Sequence, residues 1–336
     1  MKKIAINGFG RIGRIAFRQL AGSDEYEVVA INDFSTPEEL AYLLKYDTAH
    51  RTWAEDSISY NEEGIIFDGR LIKCLKLDNP LNYPWQEYNI DCVLECTGAF
   101  TKLEKALVHI EQGAKHVVIS APGTGNMKTI VYGVNHDILD GNESVISAAS
   151  CTTNCMAPVV KVINDYIGIE SGFMSTIHAY TNDQATQDGA HSKGIHSRRG
   201  RSAAENIIPA STGAAEAIGE VIPDLKGKLD GVAFRVPVVN GSCIDLTLLL
   251  KREVSVDEIN SIITLNSNQV LKITMDPIVS SDILGNPCGS LVDGSCTNVL
   301  DYDKRHVKIV AWYDNEWGYV AQMLRTMEVL LDKKGS

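Results

Sequence analysis

Six residues near the start of the chain, Gly8-Phe9-Gly10-Arg11-Ile12-Gly13, constrain its fold more than any other stretch. They follow a short apolar run, Lys3-Ile4-Ala5-Ile6-Asn7, that reads as a strand. They lead into a helical pattern from Arg14 to Leu20, and Val28-Val29-Ala30-Ile31-Asn32 reads as the next strand. Glycine is needed at three places here: a tight turn, close approach of a pyrophosphate to the backbone, and close packing of helix on strand. Asp33 stands at the end of the second strand, twenty residues after Gly13. A carboxylate there suits the two ribose hydroxyls of an adenosine and repels a 2′-phosphate, so the expected cofactor is NAD rather than NADP.

The rest of the N-terminal half keeps the same rhythm. Apolar strand runs at Cys92–Glu95, Lys115–Ser120, Thr129–Val131 and Ser144–Ser147 alternate with helical patterns such as Pro37–Leu44 and Leu103–Gln112. Strands apolar throughout, separated by helices, predict a parallel sheet covered on both faces. Residues 1–150 are therefore expected to form a Rossmann-type NAD-binding domain. From Cys151 the pattern changes. A helix to about Tyr166 precedes long strand runs at Gly172–Ala179, Gly231–Val236, Ser242–Leu250 and Val307–Tyr313, with helices near Ala214–Val221 and Val256–Asn266. Residues 151–316 read as a second, α+β catalytic domain on a mainly antiparallel or mixed sheet. Residues 317–336 carry an amphipathic, core-packed helix. The fold class is α/β.

A chain of 336 residues is long enough for two domains, and its 44% apolar and 22% charged content is that of a soluble globular protein. The net charge of −12 argues against nucleic acid or an anionic membrane as partner. Eight scattered cysteines, no leader-like segment and no apolar run of membrane-spanning length suit a reducing cytoplasm. No cysteine or histidine spacing implies a metal; Cys92 and Cys96 lack a second ligand pair.

Two segments carry reactive groups. Ser150-Cys151-Thr152-Thr153-Asn154-Cys155 opens a helix, and a thiol there sees the positive end of the dipole, which is expected to lower its pKa. Its polar neighbours do not suit a buried structural cysteine, whereas Cys155, one turn on, reads as packing. His178 ends a strand before a polar loop and is the candidate base. Arg235 lies inside the apolar run Val232–Val236, where an arginine must be paired or functional, and a phosphate ligand is the expected role. Ser211-Thr212-Gly213-Ala214 opens a helix suited to an anion. For Arg198 and Arg201, structural ion pairing and anion binding stay open.

These segments together resemble the phosphorylating, NAD-dependent glyceraldehyde-3-phosphate dehydrogenases, of the bacterial type. The matching text includes Ile6–Arg14, Leu43–Asp47, Ala149–Cys155, His178–Gln184, Asn206–Ala215, Gly227–Gly231 and Trp312–Glu316, in the family's order over nearly the whole chain. The resemblance implies a Cys151 thiohemiacetal and thioester, with His178 as acid–base partner and glyceraldehyde 3-phosphate and inorganic phosphate as substrates. It assigns Thr181, Asp183 and Arg235 to the substrate phosphate. Ser150, Thr152, Thr212 and Gly213, with charge from Arg199 and Arg235, fall to the attacking phosphate. For the cofactor it names Gly8, Gly10, Arg11, Ile12, Gly13, Asp33 and Ser120, with Asn315 on the carboxamide and Tyr319 nearby. It also implies a homotetramer, with residues about 180–203 between subunits, and a final helix packed on the NAD-binding domain.

This sequence departs from the family at Leu77-Asp78-Asn79-Pro80, where many members place an arginine near the adenine. The loop Gly189–Ser197 is slightly longer than usual; its His191 and His196 read as surface residues. Two alternatives remain at this stage: an erythrose-4-phosphate dehydrogenase, and a non-catalytic NAD-binding protein. Thr181-Asn182-Asp183 and Ser211-Thr212-Gly213 favour the glyceraldehyde enzyme over the first, and the intact Cys151 and His178 argue against the second.

Overall fold

The computed structural model describes residues 1–194 and 196–333. Ile195 of the long loop and residues 334–336 of the terminal segment lie outside the described residues. The chain divides into two compact units. One comprises Met1–Ile130, His136–Ala149 and the chain from Met323 onward; the other comprises Val131–Asn135 and Ser150–Gln322.

The first unit is built from β1 (Lys2–Asn7), α1 (Arg11–Leu20), β2 (Tyr26–Asn32), α2 (Pro37–Lys45), β3 (Ile58–Asn61), β4 (Gly64–Phe67) and β5 (Arg70–Leu75). It continues with α3 (Trp85–Tyr88), β6 (Cys92–Glu95), α4 (Leu103–Glu111), β7 (His116–Ile119), β8 (Lys128–Thr129) and β9 (Val145–Ser147). The nine strands form one sheet in the order β3-β4-β5-β2-β1-β6-β7-β9-β8. From β5 to β8 the pairing is parallel. β3 and β4 add an antiparallel edge, which the sequence reading did not anticipate. Strand order reverses between β1 and β6, and in such sheets ligands bind outside the C-terminal ends of strands at that switch. The core is Ile4, Ile6, Ile31, Val93, Leu94, Val117 and their neighbours, all buried.

The glycine segment is more helical than its spacing suggested. α1 begins at Arg11, so Arg11, Ile12 and Gly13 form its first turn and Gly10 is its N-cap, without a side-chain cap. A Cβ on Gly13 would collide with the Gly8 carbonyl oxygen, which is why helix and loop can close this tightly only with glycine. Gly8 itself has φ 91°, in the left-handed region.

The second unit contains α5 (Cys151–Tyr166), β10 (Ile169–Ala179), β11 (Ile208–Ser211), α6 (Ala214–Val221), β12 (Leu229–Val236), β13 (Ser242–Leu250) and α7 (Val256–Leu265). After these come β14 (Leu271–Thr274), β15 (Ser290–Val299), β16 (His306–Tyr313) and the start of α8 (Trp317–Asp332). Its seven-stranded sheet runs β11-β12-β10-β13-β16-β15-β14. β10 pairs parallel with β12 and β14 with β15; the other pairings are antiparallel, so the sheet is mixed. α5 buries Cys155, Met156, Val159, Val160 and Ile163. α8 is shared: Trp317–Gln322 belong to this unit and its later turns to the first, where Lys2 Nζ donates to the Leu331 carbonyl at 2.9 Å. No described helix is long and apolar enough to cross a membrane.

Candidate active site

Ser150 caps α5. Its Oγ accepts from the Thr153 amide at 3.0 Å, and this fixes Cys151 as the first helical residue. β10 delivers His178 at its far end. Nε2 of His178 stands 3.3 Å from Cys151 Sγ. The parallel register of β10 and β12 sets His178 directly beside Arg235. One strand pairing therefore places base and cation together, and one helix cap presents the thiol to them.

Nδ1 of the His178 imidazole has two close neighbours of opposite kind: the Ala179 carbonyl, which can only accept, at 2.7 Å, and Arg235 Nη1, which can only donate, at 2.8 Å. Arg235 Nη1 also reaches the same carbonyl at 3.0 Å and Thr181 Oγ1 at 3.2 Å, so its protons have other acceptors. With those acceptors used, Nδ1 keeps its proton toward Ala179 and the Nε2 lone pair faces Sγ. Burial first, and the Arg235 charge next, push the His178 imidazole down to about 3.

The thiol differs from the sequence expectation. Burial pushes Cys151 up from the ordinary thiol value, against the pull of the Arg235 charge, the Thr152 hydroxyl and the amides at the head of α5. The helix terminus helps the thiolate but does not outweigh desolvation. Each penalty applies to a lone charge. Moving the proton from Sγ to Nε2 creates both charges side by side, where they offset each other.

The anion-ready groups adjoin this pair. Arg235 Nε is buried and has no hydrogen-bond partner among the described residues, as expected of a donor awaiting an acceptor. Asp183 accepts from the Thr181 hydroxyl and pairs with Arg199. Partial burial raises the Asp183 carboxyl, but the Thr181 hydroxyl and Arg199 more than compensate, holding it below its usual value. The charge of Arg199 is thus held against Asp183, and an arriving anion competes with that carboxylate. Arg198 and Arg199 also line a cavity of about 340 Å³ with Lys193, His196 and Ser211. Arg201 instead makes an exposed ion pair with Asp188 at 2.9 Å.

Other expected residues are placed less directly. The Thr152 hydroxyl is buried 3.0 Å from the Tyr313 hydroxyl. Thr212 Oγ1 accepts from the Ala214 amide at 3.2 Å, and Gly213 caps α6 without a side-chain bond. No hydrogen bond among the described residues joins Thr212 or Gly213 to the Cys151 cluster. Asn315 is oriented by its own oxygen, which accepts from Ser242 Oγ at 2.7 Å and the Gly241 amide at 3.2 Å, so its NH2 group is the end left to donate. Tyr319 is buried.

Sequence reasoning gave Tyr313 and Thr176 no role. The Tyr313 hydroxyl bridges Thr152 and Thr176, at 3.0 and 2.9 Å, and its ring meets His178 edge-on at 5.9 Å. The available signal was a hydroxyl at Thr176, on the same strand face as His178 two residues on.

In the first unit, the residues present fit a dinucleotide. Gly10 has open space where a side chain would stand, and the uncapped first turn of α1 offers its amides to a pyrophosphate. The Asp33 carboxylate is held by the Phe9 amide at 2.8 Å and the Ser35 amide at 3.0 Å. Arg11 pairs through its side chain with Asp47. Ser120 follows β7, its amide bonded to the Glu95 carbonyl at 3.0 Å.

Such a chain is an NAD-linked dehydrogenase by class. The family model for the glyceraldehyde 3-phosphate dehydrogenase NAD binding domain matches residues 2–103, and that for the C-terminal domain matches residues 150–315. The chain is 53% identical over 329 residues to the glyceraldehyde-3-phosphate dehydrogenase of Clostridium pasteurianum, covering 98% of each. It is 52% identical over 328 residues to that of Clostridium acetobutylicum, covering 97% of this chain and 98% of the relative. The Streptococcus pyogenes enzyme is 52% identical over 328 residues, with 97% of each covered. The chain belongs to the glyceraldehyde-3-phosphate dehydrogenase family.

Proposed function

We propose that this chain oxidises and phosphorylates D-glyceraldehyde 3-phosphate to 1,3-bisphosphoglycerate, as in glycolysis, through an acyl group carried on Cys151. The supporting observation is the Sγ–Nε2 contact of 3.3 Å beside a buried arginine with an unused donor. His178 Nε2 takes the thiol proton as Sγ adds to the aldehyde carbon, giving a thiohemiacetal whose oxygen is protonated from the imidazole. His178 then accepts that hydroxyl proton as the thiohemiacetal is oxidised to a thioester. When bound, NAD accepts the hydride from the former aldehyde carbon. Inorganic phosphate attacks the thioester carbonyl, the C–S bond breaks, and the thiolate of Cys151 is regenerated.

Two anions must be recognised, and the chain has two groups of donors. Thr181, Asp183 and Arg235 serve the substrate phosphate. Ser150, Thr152, Thr212, Gly213 and Arg199 serve the attacking phosphate, with Arg235 adding charge between them. Thr152, whose hydroxyl faces Tyr313, contributes through its amide. Gly8, Gly10, Arg11, Ile12, Gly13, Asp33 and Ser120 hold the NAD, with Asn315 and Tyr319 toward its nicotinamide end. In this reading residues 1–150 are the NAD-binding domain, 151–316 the catalytic domain and 317–336 the terminal helix segment, and the assembly is a homotetramer in the cytoplasm.

The test is NADH formation at 340 nm with glyceraldehyde 3-phosphate, with and without phosphate or arsenate. Formation that requires one of these anions supports a thioester intermediate; sustained turnover without either refutes it. Erythrose 4-phosphate run in parallel must be the poorer substrate.

A further inference from the structure

Outside the Cys151 cluster, one almost fully buried carboxylate lies in the first unit. Glu95 ends β6, at the point where strand order reverses, and is 1% exposed. Four donors surround it. Asn7 Nδ2 stands 2.6 Å and His109 Nε2 3.1 Å from Oε2; the Thr97 amide is 2.8 Å from Oε1, and the Thr97 hydroxyl donates to the same oxygen.

The proton positions follow from what each neighbour can do. Trp85 Nε1 can only donate, and it reaches His109 Nδ1 at 3.0 Å. Nδ1 therefore accepts, and Nε2 carries the proton that Glu95 receives. The imidazole is neutral. A protonated Glu95 would need an acceptor, and the side-chain oxygens beside it are engaged: Thr97 Oγ1 accepts from the Ala99 amide at 3.0 Å, and Asn7 Oδ1 accepts from Asn32 Nδ2 at 2.9 Å. Glu95 is thus an ionised carboxylate, fully donated to, with no lysine or arginine ion pair among the described residues. Burying a charge this way is costly.

What the charge does is visible in where its partners lead. Asn7 precedes Gly8, whose missing Cβ would stand 2.7 Å from the Thr97 amide nitrogen. Asn32 precedes Asp33 and also grips Leu77, through its Oδ1 at 2.9 Å and its Nδ2 at 3.1 Å. Phe9 in turn bonds Asp33. One carboxylate therefore sets the spacing of the glycine loop, the Asp33 loop and the Thr97 turn.

We infer that Glu95, held by His109 and Trp85, is a positioning residue for NAD: it fixes the three loops that form the dinucleotide edge and never touches the cofactor. The inference rests on the reading that Gly8–Gly13 and Asp33 hold the NAD.

Glu95→Gln tests it with little change of shape. A glutamine has one acceptor oxygen, which His109 and Asn7 claim together. Its NH2 group then faces the Thr97 amide, donor against donor, and the turn loses its anchor. Titration calorimetry on the NAD-free protein should show a Kd for NAD raised at least about tenfold. kcat/KM for NAD should fall in proportion and kcat far less. His109→Gln can accept from Trp85 and donate to Glu95, so it should retain near-normal affinity, whereas His109→Leu should not. A merely structural role would lower melting temperature in all three variants without this ordering of Kd. A Glu95→Gln protein with wild-type near-UV dichroism and a Kd within about twofold of wild type overturns the inference. Should that variant fail to fold, Thr97→Val cuts one arm alone: a weaker Kd supports the inference and an unchanged one overturns it. If the wild-type protein itself fails to bind NAD, the glycine-loop assignment fails instead.

Discussion

A thiol and an imidazole 3.3 Å apart share one proton between two places, and their surroundings decide the balance. Burial disfavours either charge alone, while Arg235 and the amides heading α5 favour the thiolate. His178→Asn keeps the size and a polar group but removes the proton acceptor. It should lower kcat by roughly 10² to 10⁴ and slow iodoacetamide alkylation of Cys151 at neutral pH, while Cys151→Ser should abolish turnover and leave NAD binding intact. An alkylation rate unchanged in His178→Asn would assign activation to the helix terminus and Arg235 instead. Cys151, His178 and Arg235 were legible because each breaks its context: a thiol among capping residues, a histidine at a strand end, an arginine in an apolar run. Thr176, Tyr313 and Glu95 were not. Threonine and tyrosine are ordinary strand residues, and Glu95 ends a short apolar strand where an acid usually meets solvent. Apart from Thr97, two residues after Glu95, the partners that give them roles lie 14 to 161 residues away in the chain.

Helices and long strands were readable from period and caps. The thiol helix was placed at Cys151–Tyr166 and the strand Ser242–Leu250, as observed. Elements whose sequence lacks an apolar face escaped notice. β3 reads Ile-Ser-Tyr-Asn and is exposed beyond Ile58; β15 carries Asp293-Gly294-Ser295 and shifts register between Asp293 and Asn298. The start of α1 was also set by a long-range contact. Asp47, after α2, takes both guanidinium nitrogens of Arg11 and accepts from the Ala49 and His50 amides at 2.9 and 2.8 Å. Burial raises this carboxyl, but the Arg11 hydrogen bonds and the His50 amide more than offset it and hold it at about 2, against an ordinary 3.8. A depressed folded value means stabilisation that is complete above about pH 4 and lost as pH falls through about 2. Asp47→Asn should therefore cost about 1–2 kcal/mol at pH 7 in urea unfolding, with the gap to wild type narrowing below pH 4. A gap of constant size down to pH 3 would mean that the charge of Asp47 contributes nothing.

At the scale of the whole chain, the N-terminal unit is not continuous in sequence. Its last part begins at Met323, after the chain has passed through the second unit. Hydrophobic spacing from Trp317 announced a core-packed helix, but no pattern in the sequence says which core receives it, because a buried stripe looks alike against any partner. Met323, Leu324, Met327 and Leu330 are all buried. At about 1.5–3 kcal/mol for each fully buried side chain, these four contribute roughly 6–12 kcal/mol. A typical domain has only about 5–15 kcal/mol of net stability. A chain ending at Gln322 would also lose the Lys2 contacts with Leu331 and Asp332 that tie the helix to β1. The missing turns are therefore comparable to everything that keeps the N-terminal unit folded. The shortened protein should bind the dye ANS, lose protection of the β1 and β6 amides in hydrogen exchange, and fail to bind NAD, even though every residue assigned to the cofactor is still present. Native-like exchange protection in β1 and β6 would show that the first 149 residues fold without the helix.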